Sequence, residues 1–78
     1  TERGAKALAS SSKSTKLTSL NLVDNGVGDQ GALAIANSDT LSNLIYLHLG
    51  GNRIKYEETK TALRESKNLT QLKTLKAF

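Results

Sequence analysis

Hydrophobic and polar residues alternate in two short stretches of the chain, LTSLNL at residues 17–22 and LIYLHL at residues 44–49. Because successive side chains of a strand point to opposite faces, this period of two predicts two short strands with one buried face each. The leucines at every second position are expected in the core, and the residues between them on an exposed face.

Both stretches belong to a longer unit that repeats along the chain. LTSLNLVDNGV at residues 17–27 returns 27 residues later as LIYLHLGGNRI at residues 44–54. GAKALA at residues 4–9 returns at the same offset as GALAIA at residues 31–36. Two separate parts of the unit therefore recur together, which identifies a repeat protein.

A third copy of the leucines follows at an offset of 28 residues, with Leu69, Leu72 and Leu75 in the places of Leu41, Leu44 and Leu47. A unit of one strand, one turn and one helix cannot bury its apolar face alone, so successive units stack to form one continuous core. Residues 1–78 are therefore predicted to form a single α/β repeat segment with about two complete repeats and flanking half repeats. We expect this segment to be part of a longer solenoid.

A helix is predicted after each of the first two strands. Gly28-Asp29 and Glu57-Glu58 mark helix starts, because the helix dipole favours acidic groups in the first turn. Inside the helices, paired small and large residues predict an aliphatic side chain in the core beside an Ala that lets neighbouring helices approach. These pairs are Ala7-Leu8, Ala34-Ile35 and Ala62-Leu63. Residues 10–15, SSSKST, are predicted to form a polar loop.

An asparagine follows each of the first two strands at the same repeat position. The side-chain amides of Asn25 and Asn52 can satisfy buried backbone groups that no strand partner reaches. When the units stack, these residues are expected to form a structural asparagine ladder.

Written as LxxLxLxxNxV for residues 17–27 and LxxLxLxxNxI for residues 44–54, the strand segments resemble the leucine-rich repeat. The unit length and the helical half GDQGALAIA at residues 28–36 are similar to the ribonuclease-inhibitor-like class, and GALA at residues 31–34 is similar to the GALA class of bacterial effector repeats. The resemblance implies a right-handed β-α superhelix that curves into a horseshoe, with parallel strands on the concave face and helices on the convex face. It also implies a protein partner and no catalysis.

On the leucine-rich template, the strand residues between the inward leucines point to the concave face, where a partner would bind. Tyr46 beside His48 is the most interface-like pair, because Tyr offers a large rigid surface and one hydrogen-bonding group. The alternative is that Tyr46 stands there only because strands favour aromatic residues. The predicted face consists of Ser19, Asn21, Val23, Tyr46, His48, Gly50, Thr74, Lys76 and Phe78.

His48 is the single histidine, and the chain has no cysteine. A serine hydrolase would need Ser19 and a carboxylate such as Asp24 to approach His48, and a metal site would need a second His or Cys. We therefore predict no enzymatic activity, no catalytic residue, no cofactor and no metal. His48 is instead expected to be a surface residue that modulates binding with pH.

The net charge of +4 is concentrated towards the two ends of the chain. A solvated helix face explains such charge, and recognition of an acidic surface or a nucleic acid by the basic C-terminal part is the alternative. The scarcity of aromatic residues argues against nucleic acid, because base stacking needs them. The basic C-terminal residues are Lys60, Arg64, Lys67, Lys73 and Lys76.

The composition also bounds location and partners. No apolar run approaches the roughly 20 residues that span a bilayer, and the absence of Cys gives no sign of an oxidising compartment. We expect a cytoplasmic protein, located in the host cytosol if it is an injected effector. The expected partner is another protein, with self-association through the open solenoid ends as a further option. An alternative role is the substrate-recognition arm of a larger bacterial effector or ubiquitin ligase.

Overall fold

The computed structural model describes residues 1–76, so Phe78, which was expected on the exposed strand face, lies outside the described residues. Helices and strands alternate along the chain, as the repeat predicts for an α/β fold. The elements are α1 (Glu2–Ser10), a 3-10 helix (Ser12–Lys16), β1 (Ser19–Asn21), α2 (Gly28–Ala36), β2 (Tyr46–His48), α3 (Glu57–Arg64) and β3 (Thr74–Lys76).

The three strands form one parallel sheet in the order β1-β2-β3. Each strand has only three residues, because the ladder is irregular on its amino-terminal side. The carbonyl of Thr18 accepts the N–H groups of both Ile45 and Tyr46, at 2.7 and 3.1 Å. The carbonyl of Ile45 likewise accepts those of Lys73 and Thr74, at 2.8 and 3.0 Å. Regular pairing between β1 and β2, and between β2 and β3, therefore begins only after these shared carbonyls, at Tyr46 and at Thr74.

The hydrophobic core lies between the sheet and the helices and is densest in the middle unit. Leu20, Leu47 and Leu75 lie side by side in the three strands. Leu47 is 0% exposed, whereas Leu20 and Leu75 in the outer strands are only partly buried. The helices contribute Ile35 from α2 and Leu63 from α3, both buried. Stacking on both sides is what buries a unit completely, and β2 is the strand that has two neighbours.

The helices pack through small residues, only some of which were predicted. Ile35 and Leu63 fill the core as expected, whereas Leu8 is only partly buried. Ala34 and Ala62 are partly buried and pack against the core, but Ala7 is exposed, so the prediction for Ala7 was wrong. Residues next to each other in a helix do not share a face, whereas residues four apart do. The buried small residues accordingly stand four apart, as Ala5 and Ala9 in α1 and Ala32 and Ala36 in α2.

Gly31 lies where α1 and α2 approach each other closely. A Cβ atom at this position would lie 2.7 Å from Cγ1 of Val27 and 3.1 Å from Cβ of Ala5. Any side chain would therefore have to push the two helices apart, which explains why a helix interior contains a residue of low helix propensity.

The segment predicted as a polar loop after α1 is ordered instead. Residues 12–16 form the 3-10 helix, and Ser14 is buried, with its hydroxyl donating to the carbonyl of Leu8 at 3.0 Å. Ser and Thr were interpreted as loop residues because they are polar. Here the hydroxyl of Ser14 replaces a lost helical hydrogen bond at the end of α1, which allows a polar residue to be buried.

A serine ties the end of α1 and the end of α2 to the next unit, and the sequence reasoning missed both of these residues. The hydroxyl of Ser38 donates to the carbonyl of Ala9 at the end of α1 and accepts the N–H groups of residues 40 and 41. Ser66, 28 residues later, does the same with the carbonyl of Ala36 and the N–H groups of residues 68 and 69. Each hydroxyl thus satisfies an unpaired carbonyl of the preceding helix and closes the following turn.

The turns after β1 and β2 require left-handed backbone at two equivalent positions. Asp24 and Gly51 are 27 residues apart and have φ values of 58° and 71°, while Gly26 and Arg53 are also 27 apart and have 63° and 59°. Each turn therefore contains one glycine and one residue with a side chain, in opposite order. The non-glycine residue in each turn adopts a conformation that costs roughly 1–2 kcal/mol.

Candidate functional site

The exposed side of the sheet presents two rows of side chains, which we call the strand face. The strand register aligns Ser19, Tyr46 and Thr74 in the first row. It aligns Asn21, His48 and Lys76 in the second row. Because these residues alternate with the inward leucines, six of the predicted partner-binding residues lie on one continuous surface.

Tyr46 and His48 form an interacting pair at the centre of the strand face. The Tyr46 hydroxyl lies 3.3 Å from Nδ1 of His48, and the two rings meet edge to face with centroids 6.3 Å apart. Both residues are partly buried and have neighbours on both sides in the sheet. This contact restrains the phenol ring of Tyr46.

The strand face ends beyond its second row, at Val23 and Gly50. Val23 is partly buried, and its N–H donates to Oδ1 of Asn21 at 3.1 Å, so the Asn21 amide is tied to its own turn. A Cβ atom at Gly50 would lie 3.0 Å from Nε2 of His48. The absence of a side chain at Gly50 therefore gives the imidazole the room in which it lies.

The two ladder asparagines have different environments. Asn52 is 1% exposed, and its amide Nδ2 donates to the carbonyls of Leu22 and Leu49 at 2.7 and 2.9 Å. Its Oδ1 accepts the N–H groups of Asn25 and Val27 at 2.8 and 3.1 Å. Asn25 is exposed, and its amide donates to the carbonyl of Val23 at 2.9 Å. Asn52 thus bonds to the backbone of the preceding unit, whereas the amide of Asn25 bonds within its own turn.

The residues considered for catalysis are not brought together. Ser19 lies opposite Tyr46 in the sheet, and the side-chain hydrogen bond of His48 goes to Tyr46. Asp24 follows β1 in the turn, where its carboxylate lies over Gly51. Among residues 1–76, no three His, Asp or Glu side chains are grouped to hold a metal ion.

Residues 13–36 match the family model of the Leucine Rich repeat. The matched region runs from the 3-10 helix through β1 to the end of α2, which is one complete unit of strand, turn and helix. The match supports a leucine-rich repeat protein, and the parallel strands with intervening helices fit an α/β repeat fold. Leucine-rich repeat motifs generally mediate protein–protein interaction. No curated protein matches the chain, and no solved structure does.

Asp29 connects neighbouring repeat units at their helix starts. Its carboxylate accepts the N–H groups of Lys55 and Tyr56, at 3.0 Å each, immediately before α3 begins. The pKa of Asp29 is lowered from its ordinary value of 3.8, chiefly by the bond from Lys55 and further by the bonds from Tyr56 and the Thr59 side chain. Desolvation of the carboxylate raises the pKa but does not cancel this effect. Asp29 thus lies in the first turn of α2, as predicted, and its carboxylate also bonds to the backbone of the next unit.

The basic C-terminal residues are spread over different parts of the repeat. Lys60 lies on α3 and pairs with Glu57 at 3.6 Å, whereas Lys76 belongs to the strand face. Arg64 and Lys73 line a cleft between α3 and β3. The sequence grouped these residues by their position along the chain, but folding distributes them over the helix layer, the sheet and the space between.

None of the helices within residues 1–76 is long and apolar enough to cross a bilayer.

Proposed function

We propose that this chain is a segment of a leucine-rich repeat solenoid of the ribonuclease-inhibitor-like class, and that it binds another protein through its strand face. In such a solenoid the strand face is the concave surface. The proposed role is non-catalytic, and residues 1–78 act as one segment. The observation that carries the proposal is the alignment of two exposed rows of side chains, with Tyr46 held by His48 at their centre.

Three properties of the strand face favour binding over an inert role. Its side chains come from three neighbouring units, so a partner can contact several of them at once. Its central aromatic residue is already ordered by the contact with His48. Tyr is also enriched among the few residues that carry most of the binding energy of an interface. Hydroxyl, amide, imidazole and ammonium groups surround Tyr46 and provide the polar rim that such interfaces have.

The second tyrosine supplies a matched control for Tyr46. Tyr56 is 62% exposed and lies just before α3, outside the strand face. A photoreactive amino acid, p-benzoylphenylalanine, placed at position 46 should cross-link a partner that the same group at position 56 does not reach. The affinity of that partner can then be measured for Tyr46→Ala and Tyr56→Ala.

We expect Tyr46→Ala to weaken the complex by about fivefold to thirtyfold, which corresponds to about 1–2 kcal/mol for a central aromatic residue. Tyr56→Ala should leave the affinity unchanged. Circular dichroism must show that both variants remain folded. Equal affinity of the Tyr46→Ala variant and the parent chain, or an equal loss in both variants, would show that the partner binds elsewhere.

A further inference from the structure

Charge is divided between two sides of the repeat. The segments that lead into and include the strands, residues 13–23, 40–50 and 68–76, contain four lysines and no carboxylate. The remainder of the chain contains all seven carboxylates together with seven Lys and Arg residues. The net charge of +4 therefore resides on the strand side, while the charges of the turns and helices cancel.

This division follows from the fold rather than from position along the chain. The carboxylates belong to the helices and to the turns that follow the strands or the helices, where Asp29 bonds to the next unit and Glu2 and Glu57 form ion pairs within their own helices. Asp24 lies at the carboxyl-terminal border of the sheet. The amino-terminal border of the sheet has no carboxylate in any unit and has Lys16 and Lys73, both exposed.

An apolar side chain lies in a groove at this amino-terminal border. Ile45 is 43% exposed, although it stands between the fully buried Leu44 and the partly buried Tyr46. The groove has a volume of about 400 Å³. It is lined by Lys16, Thr18, Asn43, Ile45 and Gln71.

The backbone explains why Ile45 is exposed beside a core leucine. The carbonyls of Thr18 and Ile45 each accept two N–H groups from the neighbouring strand, so regular pairing begins only after Ile45. The amide of Asn43 donates to the carbonyl of Thr15 at 2.7 Å, which fixes one wall of the groove. The groove is therefore built by the repeat itself.

We propose that the Ile45 groove binds an acidic segment of a protein partner, with an apolar side chain of that segment against Ile45 and a carboxylate towards Lys16. This inference rests on the proposed function, because the groove adjoins the strand face through the consecutive residues Ile45 and Tyr46. We infer an acidic partner segment from charge complementarity, because the strand side has lysines and no carboxylates that would compete for them. The exposed Ile45 selects a peptide over a nucleic acid, because none of the lining residues is aromatic and could stack on a base.

The probe for this site is the peptide Glu-Glu-Leu-Glu-Glu, blocked at both ends, added to the isotope-labelled chain and followed by amide NMR shifts. Two control peptides separate the contributions: Gln-Gln-Leu-Gln-Gln lacks the charge, and Glu-Glu-Ser-Glu-Glu lacks the apolar side chain. We expect the largest shifts at Thr18, Ile45 and Lys16 with the first peptide, and weaker binding of both controls. Ile45→Ser and Lys16→Gln should each weaken the first complex by about fivefold or more.

Two exposed residues outside the groove provide control variants. Tyr56→Ser removes the second exposed large hydrophobic side chain of residues 1–76, and Lys13→Gln removes a strand-side lysine that does not line the groove. Both should bind the first peptide as the parent chain does. Equal binding of the serine peptide or of the glutamine peptide would overturn the inference. So would the absence of shifts at the groove, or tighter binding of a single-stranded oligothymidylate at the same residues.

The natural partner separates this inference from the proposed function. If Tyr46→Ala weakens the partner and Ile45→Ser does not, the strand face binds the partner and the groove proposal fails. If Ile45→Ser weakens the partner and Tyr46→Ala does not, the groove binds it and the assignment to the strand face fails. A loss in both variants supports the two proposals together.

Discussion

Replacing Asn52 with alanine is the sharpest test of how the repeat units are joined. The side chain of Asn52 bonds to two N–H groups and three carbonyls at 2.7–3.3 Å, and three of these five groups belong to the preceding unit. Alanine keeps the backbone in place but removes every one of these bonds. The change therefore acts on the connection between units and leaves the hydrophobic core intact.

The expected loss of stability follows from the burial of these groups. The bonds to the N–H group of Val27 and to the carbonyl of Leu49 are fully buried, and the others are partly buried. A buried polar group without a partner costs about 1–3 kcal/mol. Two such groups give a cost of roughly 2–6 kcal/mol, and entry of water into the vacated space places our expectation near 3 kcal/mol.

That loss is large for a chain of 78 residues. At about 0.05–0.15 kcal/mol per residue, the whole segment has a free energy of unfolding of roughly 4–12 kcal/mol. Urea denaturation followed by circular dichroism measures the change directly. With a slope of about 1–3 kcal/mol per M, the midpoint should fall by about 1–3 M.

Asn25 is the internal control, because it occupies the same repeat position in the preceding unit. It is exposed, and its side-chain amide donates to the carbonyl of Val23. Asn25→Ala should therefore change the free energy of unfolding by about 0.5 kcal/mol or less. Equal losses in the two variants would mean that asparagine acts within its own turn and not between units. An unchanged midpoint for Asn52→Ala would refute the reasoning entirely.

Three further changes test other parts of the fold. Leu47→Ala, at a side chain that is 0% exposed, should lower the free energy of unfolding by roughly 2–5 kcal/mol, and an unchanged thermal midpoint would contradict the core assignment. Asp29→Ala should destabilise the chain above about pH 5, where the carboxylate accepts the N–H groups of Lys55 and Tyr56. The difference in stability from the parent should vanish as the pH falls through the lowered pKa of Asp29, because protonation removes that carboxylate. Parallel profiles of thermal midpoint against pH for the two chains, measured by calorimetry, would show that the contact contributes nothing. Arg53→Gly should raise the free energy of unfolding in urea by about 0.5 kcal/mol. Glycine removes the cost of the left-handed backbone at position 53, and this gain exceeds the loss caused by the greater flexibility of glycine in the unfolded chain. A destabilised variant would show that the Arg53 side chain makes a contact that offsets the strain.

The sequence predicted those features that depend on one unit at a time. Alternation of leucine with polar residues is a property of a single strand, so Leu47 could be assigned to the core and Tyr46 to the exposed face before the sheet was known. The start of α2 at Gly28 and of α3 at Glu57 was also predictable, because acidic residues at a helix start act locally.

The features that were missed depend on how one unit meets the next. Ser38 and Ser66 look like turn residues, yet each bonds to the helix of the preceding unit, and the signal was their recurrence at the offset of the leucines. The exposure of Ile45 follows from hydrogen bonds that depart from the regular ladder, which no alternation of residue types reveals. Ala7 was wrongly assigned because adjacent positions were paired, whereas the buried Ala5 and Ala9 stand four residues apart.

The two turns after β1 and β2 are complementary, and this makes the order of the units directional. The carboxylate of Asp24 lies where a Cβ atom of Gly51 would be, with Oδ1 only 1.9 Å from that position. A unit with Asp at this position can therefore precede a unit with Gly, but two successive units with Asp would force the first carboxylate to rotate away. An engineer who lengthens this array by copying a unit should copy residues 28–54. The turn of that unit has Gly51 at this position, so no side chain of one copy would lie over the Gly51 of the next copy.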